Sequence, residues 1–358
     1  MNKIVHLITT LERGGAEKQL LVLVREQLKL GYEVEIYPLK GQVELKNDFE
    51  NLGAVVNCDL LQQTFFKQII FLKKNLSLTD SYIHAHLPKS ELLSAFSFPK
   101  GSFVTTRHNS EEFWPRKPKL ISILLSRFVS NKSAATIAIS ASVRKYLFKN
   151  FEISKKKEVP VVYYGYESAK TVSKKRKQRD LFIAGTIARV VPQKDYVTLL
   201  HSFQYASQRI PNLELQIVGT GYLESEMKKI CIKLGIQDKV IWLGRISDVD
   251  TFLKNLDLFI LTSEYEGFGL VLLEALAANL PILATNTSAI PEVLGSKYDG
   301  LCEKGNIVDF GSKLTELALG NMKLTLLNQL DDRLQIFEPY LMSKKIETIY
   351  KEKIYVSN

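Results

Sequence analysis

Two successive α/β domains, each built on a doubly wound parallel sheet, are the fold class this sequence predicts. Three observations carry the prediction. Short apolar runs alternate with stretches of helical periodicity along most of the chain, the pattern of βα units on a sheet covered on both faces. The length of 358 residues accommodates two domains at roughly 150 residues each. Between them, Ser168 to Asp180 carries Lys170, Lys174, Lys175, Arg176, Lys177 and Arg179 with almost no apolar content, as a solvated linker does.

The elements follow in order. Lys3–Ile8 is a short apolar run, Gly14-Gly15 breaks the chain, and Leu20, Leu21, Val24 and Leu28 then recur at helical spacing. After Gly31, residues 32–37 alternate as a strand, which completes a βαβ unit. Further strands are expected at Ser81–His86, Ser102–Thr106, Ala134–Ile139 and Val159–Tyr164. A second series begins with Leu181–Ala188 and continues through Leu213–Val218, Val240–Leu243, Leu256–Leu261 and Pro281–Ala284. Residues 337–354 read as one amphipathic helix, with Leu341, Ile346, Ile349 and Tyr350 on one side and Pro339 suited to its first turn. The expected division is 1–165, a basic linker 166–180, 181–336, and a last helix 337–358.

Composition narrows the function. Apolar residues make up 46% and charged residues 24%, so either half can bury a core, and disordered or fibrous classes are excluded. No apolar run reaches the roughly 18 residues of a membrane span, and Glu12-Arg13 directly after the first run argues against a secretory signal. Cys58, Cys231 and Cys302 lack the spacing of a disulfide framework or a zinc site, so a reducing cytoplasm is expected. The net charge of +10 is uneven: residues 1–180 hold 30 Lys+Arg against 17 Asp+Glu, the remainder 18 against 21. A basic half attracts nucleic acid, anionic membrane or phosphorylated small molecules.

Ligands of open α/β sheets bind beyond the carboxyl ends of the strands, so the strand-to-helix loops carry the chemistry. In Ser263-Glu-Tyr-Glu-Gly-Phe-Gly-Leu-Val-Leu-Leu-Glu-Ala275, two glycines open a helix near Gly269, leaving N–H groups and a helix dipole for an anion. Glu266 in the loop and Glu274 in the helix can accept hydroxyl groups; each alone reads equally as an ordinary polar-face residue. Arg189 and Lys194 bracket Pro192 after a strand and could neutralise a diphosphate, or could be two exposed loop cations. Val218-Gly-Thr-Gly221 and Gly14-Gly15 are partial glycine-rich turns. His84 and His86 alternate on a strand end, and a metal reading of them lacks a third ligand. His108 ends another strand and is either a site residue or a surface loop histidine.

Together these loops resemble the retaining glycosyltransferases of the GT-B fold, family 4. The motifs are Glu266 to Glu274 as E-x7-E within E-G-F-G-L-V-L-L-E-A, Gly14-Gly15-Ala16-Glu17, the His108 loop, Arg189 with Lys194, Val218-Gly-Thr-Gly221 and Ile290-Pro-Glu-Val293. The resemblance implies two Rossmann-like domains facing across a cleft and a nucleoside-diphosphate sugar as donor, held by the second domain without a divalent metal. By that resemblance Arg189 and Lys194 would hold the diphosphate, with Gly14, Gly15, Gly219 and Gly221 allowing close approach. Glu274 would take the ribose hydroxyls. Glu266, with the backbone of Gly267, Phe268, Gly269 and Leu270, would take the transferred sugar. His108 would touch sugar or acceptor, and Arg245 falls at the base-binding loop. The last helix would return to the first domain. The chain departs from the family at Ala188, Asp195 and Ser288-Ala289, where glycines are common, and at Tyr164-Gly165, where Asn-Gly is usual.

The acceptor implied is a glycan or lipid-linked molecule in surface polysaccharide or glycolipid synthesis, with a place in the cytoplasm or on the inner face of its membrane. Phe65-Phe-Lys-Gln-Ile-Ile-Phe-Leu-Lys-Lys74, with Arg116 to Lys119, mixes apolar and cationic residues as a helix on an anionic membrane does, or as a helix packed on the sheet with solvated lysines does. Competing readings are a phosphorylase or epimerase, an inactive partner-binding relative, and a basic nucleic-acid-binding protein. The last rests on charge alone, since no aromatic residues interleave the basic stretch.

Overall fold

The computed structural model describes residues 1–114, 117–167, 180–322, 324 and 330–354, the side chains of 330–332 excepted. Twelve strands and fourteen α-helices are described. In order they are β1 (Lys3–Ile8), α1 (Gly15–Lys29), β2 (Glu33–Pro38), α2 (Lys46–Asn51), β3 (Val55–Val56), α3 (Phe65–Asn75), β4 (Ser81–His86), α4 (Pro88–Ser97), β5 (Phe103–Arg107), α5 (Lys119–Lys132), β6 (Ala135–Ala138) and α6 (Ala141–Lys149). There follow β7 (Phe182–Ile187), α7 (Tyr196–Ser207), β8 (Leu213–Val218), α8 (Glu224–Leu234), β9 (Val240–Gly244), α9 (Val249–Asn255), β10 (Leu258–Leu261), α10 (Leu270–Ala277), β11 (Ile282–Thr285), α11 (Ile290–Leu294), β12 (Leu301–Cys302), α12 (Ile307–Ala318), α13 (Leu330–Gln335) and α14 (Pro339–Lys353). The chain divides into two units, Met1–Glu167 with Phe337–Asn358, and Ser168–Ile336.

The first unit is a six-stranded parallel sheet in the order β3-β2-β1-β4-β5-β6. Its strands are apolar on both sides because both faces are covered. On one face Leu20, Leu23 and Val24 of α1 meet Met342, Ile346, Ile349 and Tyr350 of α14 over Ile4, Ile36 and Ile137. On the other, Phe65, Ile69 and Leu72 of α3, Leu92 and Leu93 of α4, and Val129 of α5 lie over Val5, Leu7 and Ile83. Residues 337–354 thus complete the core of the first unit. Where the chain leaves this unit and re-enters it, the Tyr166 N–H donates to the Phe337 carbonyl at 2.6 Å. The expected strand over residues 159–164 is not a strand: a single bridge joins Ala138 to Val161, since Pro160 lacks a donor for a ladder. Most of the basic stretch, residues 168–179, and Arg116 lie outside the described residues.

The second unit is a six-stranded parallel sheet in the order β12-β11-β10-β7-β8-β9. Leu199, Leu200 and Phe203 of α7 and Phe310 and Leu314 of α12 pack with Leu215, Ile217 and Leu258. In each sheet the order reverses beside its first strand in sequence. Those reversals, at β1/β4 and at β7/β10, open the crevices in which α/β sheets bind ligands.

Candidate functional site

In the second unit β7 and β10 are paired neighbours, with Leu258 opposite Ala184 and Phe259 opposite Gly185. The loops that follow them therefore emerge side by side. The loop after β7 tightens into a 3₁₀ turn at Pro192–Lys194 and ends on Asp195, whose φ of 43° is left-handed. Asp195 caps α7, accepting from the Thr198 N–H at 3.1 Å and from the Thr198 hydroxyl. The cap offsets the strain of a non-glycine residue in that region. The loop after β10 is fastened to it: the Glu264 N–H donates to Gln193 O at 2.8 Å, Gln193 Nε2 to Tyr265 O at 2.9 Å, and Thr262 Oγ1 to Lys194 O and Asp195 O at 3.0 Å.

The functional side chains meet on this staple. Lys194 Nζ forms an ion pair with Glu266 Oε1, both largely buried, and Ser263 Oγ donates to the same oxygen at 2.7 Å. The Glu266 N–H donates to Ser288 Oγ at 2.7 Å. Ser288 has φ 46°, so this serine accepts a conformation in which glycine is unstrained and gains a bond to the carboxylate-bearing residue. Beyond Glu266 and Gly267, Phe268 is buried, and Gly269 (φ 92°) starts α10 at Leu270 without a side-chain cap. Glu274 lies inside α10 on its partly exposed side. Arg189 is exposed on the β7 loop, and Arg245 is exposed just after β9. The structure thus unites Lys194 with Glu266 and places Gly267 to Leu270 at the same switch point.

Gly219 and Gly221 have a packing reason for their identity. The chain after β8 runs against the β7 loop through Ala188 N–H to Val218 O at 3.0 Å and Val190 N–H to Thr220 O at 3.1 Å. A Cβ on Gly219 (φ 129°) would lie 2.0 Å from Ala188 O, and one on Gly221 would lie 2.1 Å from Val190 O. The two glycines hold in place the backbone that carries Arg189.

In the first unit Gly14 precedes α1 and Gly15 is its first residue. Glu17 folds back so that a Cβ on Gly14 would sit 2.3 Å from Glu17 Oε2, and Thr10 Oγ1 donates to Glu17 Oε1 at 2.7 Å. A carboxylate therefore occupies this helix N-terminus, where the resemblance placed a diphosphate.

His108 belongs to a buried chain that the sequence did not disclose. β1 lies beside β4 and β4 beside β5, with His6 opposite His84 and His86 opposite Thr106. The contacts run from the Tyr164 hydroxyl to His108 Nδ1 (2.6 Å), His108 Nε2 to His86 Nδ1 (3.1 Å), His86 Nε2 to His6 Nδ1 (3.0 Å) and His6 Nε2 to Gln27 Oε1 (2.8 Å). Gln27 Nε2 continues to the Tyr350 hydroxyl (3.4 Å), which meets His84 Nδ1 (2.7 Å), and His84 Nε2 meets Thr106 Oγ1 (2.7 Å). With the Gln27 amide assigned in this orientation, its oxygen can only accept, so His6 carries its proton on Nε2. A neutral His6 then accepts at Nδ1 from His86, His86 from His108, and His108 from Tyr164. One direction of donation satisfies every ring nitrogen with all four rings neutral.

Burial enforces that neutrality. It lowers His6 to about 4 against a bond to Gln27 that raises it, and it lowers His108 to about 3, with Arg107 adding to the effect. His84 and His86 are driven well below their ordinary value by burial and then by the neighbouring histidines. His6 is the third member that a metal reading of His84 and His86 lacked, and ligand atoms of the three lie within 4.8 Å of one another. All six of their nitrogens are already hydrogen-bonded, so the cluster is built as a chain of neutral rings. His108 likewise spends both nitrogens inside the unit.

Two family models match the chain: Glycosyl transferases group 1 over residues 167–329 and Glycosyltransferase Family 4 over residues 13–170. An uncharacterized glycosyltransferase of Haemophilus influenzae is 32% identical over 165 residues, 45% of this chain and 46% of its own. The capsular polysaccharide biosynthesis glycosyltransferase CapH of Staphylococcus aureus is 24% identical over 306 residues, 82% of this chain and 84% of its own. In most of these alignments the chain spans about half, or less, of the curated relative's length. Among solved structures, Anabaena HepE in complex with UDP matches with a TM-score of 0.79 at 17% identity, over 98% of this chain and 99% of that one. That likeness is one of fold.

Proposed function

Because the chain belongs to the group 1 and family 4 glycosyltransferases of the GT-B fold, we propose that it moves a sugar from a nucleoside-diphosphate sugar to a glycan or lipid-linked acceptor, with retained anomeric configuration. The observation that carries this reading is the Lys194–Glu266 pair at the β7/β10 switch point. A departing nucleoside diphosphate gathers negative charge on its phosphate oxygens. Lys194, Arg189 and the N–H groups opening α10 would supply the cations and dipoles for that charge. Glu266, held by Ser263 and by its own N–H on Ser288, would accept a hydroxyl of the transferred sugar. Glu274 would accept the ribose hydroxyls, and Arg245 would lie near the base. The leaving phosphate would take the acceptor proton on the same face of the sugar, and no divalent metal enters the proposal.

Two relatives support it. HepE was solved with UDP and with UDP-glucose, and CapH is named for capsular polysaccharide synthesis; assembly of a surface polysaccharide or glycolipid is the proposed setting here. The test is thermal unfolding with UDP, GDP, ADP and CMP, with an Arg189→Ala/Lys194→Ala variant as control. A nucleotide at 100 times its Kd stabilises the native state by about 2.7 kcal/mol. One nucleoside diphosphate should raise Tm of the parent and not of the variant, and EDTA should leave the shift unchanged. No shift with any of them at millimolar concentration would overturn the reading.

A further inference from the structure

At the end of α6 the Phe151 N–H donates to Phe148 O at 3.2 Å, and the Glu152 and Ile153 N–H groups donate to Leu147 O at 3.0 and 3.4 Å. Such a turn needs a left-handed residue just past the helix, the place where glycine is usual. Here that residue is Phe151, with φ 59°. A bulky side chain in that region is strained, and this one recovers little by burial, since it is 58% exposed. Arg127 Nε fastens the Phe151 carbonyl at 2.7 Å. The strained backbone thus holds an aromatic ring out in solvent, in a fixed place.

Phe151 shares with Phe148 and Ala141 a pocket of about 580 Å³ whose charged groups are Arg144, Lys145, Lys149 and Lys155, a volume suited to a small molecule. None of the four cations stands in an ion pair among the described residues. Glu152, the one acid in residues 141–157, is buried against Arg107. Lys145 and Lys149 even repel one another at i,i+4. Strain and like charge therefore gather at one pocket, where stability alone would favour neither. The lining selects its ligand by what it lacks. Arg and Lys donate and cannot accept, and Ala and Phe side chains do neither, so none of the described lining side chains accepts a hydrogen bond. A neutral sugar, whose hydroxyl groups need acceptors, is poorly matched. An oligophosphate only accepts and is matched by all four cations, and a flat base joined to it would lie on the phenyl rings.

We propose that this pocket is an accessory binding site for a nucleoside triphosphate, with the phosphates on Arg144, Lys145, Lys149 and Lys155 and the base stacked on Phe151. Its described lining residues all belong to the first unit and to none of the loops assigned to sugar transfer. The inference goes beyond that reaction and does not depend on it.

The test is equilibrium dialysis of the full chain against ATP without divalent metal, in the Arg189→Ala/Lys194→Ala background that removes the proposed donor contacts. One equivalent of ATP is expected to bind, and to bind more weakly as salt is raised. Inorganic tripolyphosphate should bind about 5- to 150-fold more weakly, the worth of one stacked base, and adenosine should not bind at millimolar concentration. ADP leaves a cation unmatched and should bind at least about tenfold more weakly than ATP, which keeps this site separable from a donor crevice probed with diphosphates. Arg144→Gln/Lys149→Gln should lose about a hundredfold or more. Phe151→Gly should lose ATP by the stacking factor, leave tripolyphosphate binding unchanged, and keep or raise Tm, because glycine is unstrained there. A Phe151 that served the fold alone would show the reverse, a lower Tm with ATP binding intact. No binding of ATP at millimolar concentration overturns the proposal. So does tripolyphosphate binding as tightly as ATP, or ATP binding undiminished in either variant.

Discussion

Lowering the pH from 7 to 5 should destabilise the first unit by at least about 2 kcal/mol, and the histidine chain sets the sign of the effect. In the unfolded chain each histidine titrates near 6.5. In the folded unit His6 stays neutral down to about 4 and His108 to about 3, and His84 and His86 are displaced in the same direction. Between 6.5 and 5 the unfolded state therefore binds the extra protons, and stability present above 6.5 is lost as the pH falls. Each ring that stays neutral contributes about 1.36 kcal/mol per pH unit, or about 4 kcal/mol for His6 and His108 together over that range. Glu91 opposes them. Burial pushes its carboxyl up to about 8, so the folded unit holds a proton that the unfolded chain releases, and acidification returns about 2 kcal/mol over the same interval. His6 and His108 thus leave a loss of about 2 kcal/mol, and His84 and His86, displaced in the same direction, enlarge it. The two tryptophans fall one in each unit, Trp114 and Trp242, so Trp242→Phe makes urea unfolding of the first unit visible by fluorescence. At about 1–3 kcal/mol per molar urea, the midpoint should drop by roughly 1 M or more between pH 7 and 5. Trp114→Phe should show a smaller drop for the second unit, which holds only His201. A first-unit midpoint that stays level from pH 6.5 to 5 would refute the neutral-chain account.

Two further outcomes follow from local geometry. Gly219→Ala and Gly221→Ala each drive a methyl into a carbonyl oxygen and should cost at least about 3 kcal/mol, read as a fall in Tm. Gly235→Ala, at positive φ but in open space, should cost only about 1 kcal/mol. Ser288→Ala leaves the Glu266 N–H without its acceptor and should cost about 1–3 kcal/mol. Ser288→Gly should cost about 1 kcal/mol less than Ser288→Ala, because it relieves the left-handed backbone; equal losses for the two would show that the conformation carries no strain.

How far the sequence could be read depended on what each feature required. β1, β4 and β8 were legible to the residue because an apolar run bounded by polar residues needs no tertiary information. β3 and β12 were not, since two-residue edge strands leave no period to detect. The loops bearing Lys194 and Glu266 could be singled out, but their ion pair depends on β7 lying beside β10, a property of strand order. The histidine chain failed to show for the same reason: His6 is far from His84 in sequence and faces it only because β1 and β4 are neighbours. Tyr350 was read as one more apolar residue of an amphipathic helix, whereas its hydroxyl reaches His84. Ser288 and Asp195 were visible only as departures from glycine. Their hydrogen bonds show what the departures bring.

The returning helix also constrains how the protein is made. A ribosome delivers the six strands of the first sheet well before it delivers Tyr350, which emerges roughly 180 residues after the first segment of the unit ends. At about 5–20 residues per second that interval is on the order of 10–40 s. Throughout it, His84 and Gln27 lack the hydroxyl between them, and the α1 side of the core lacks Met342, Ile346 and Ile349. The nascent first domain must therefore wait, partly open, while the second is synthesised in full. A helix made after the second domain is what closes the first.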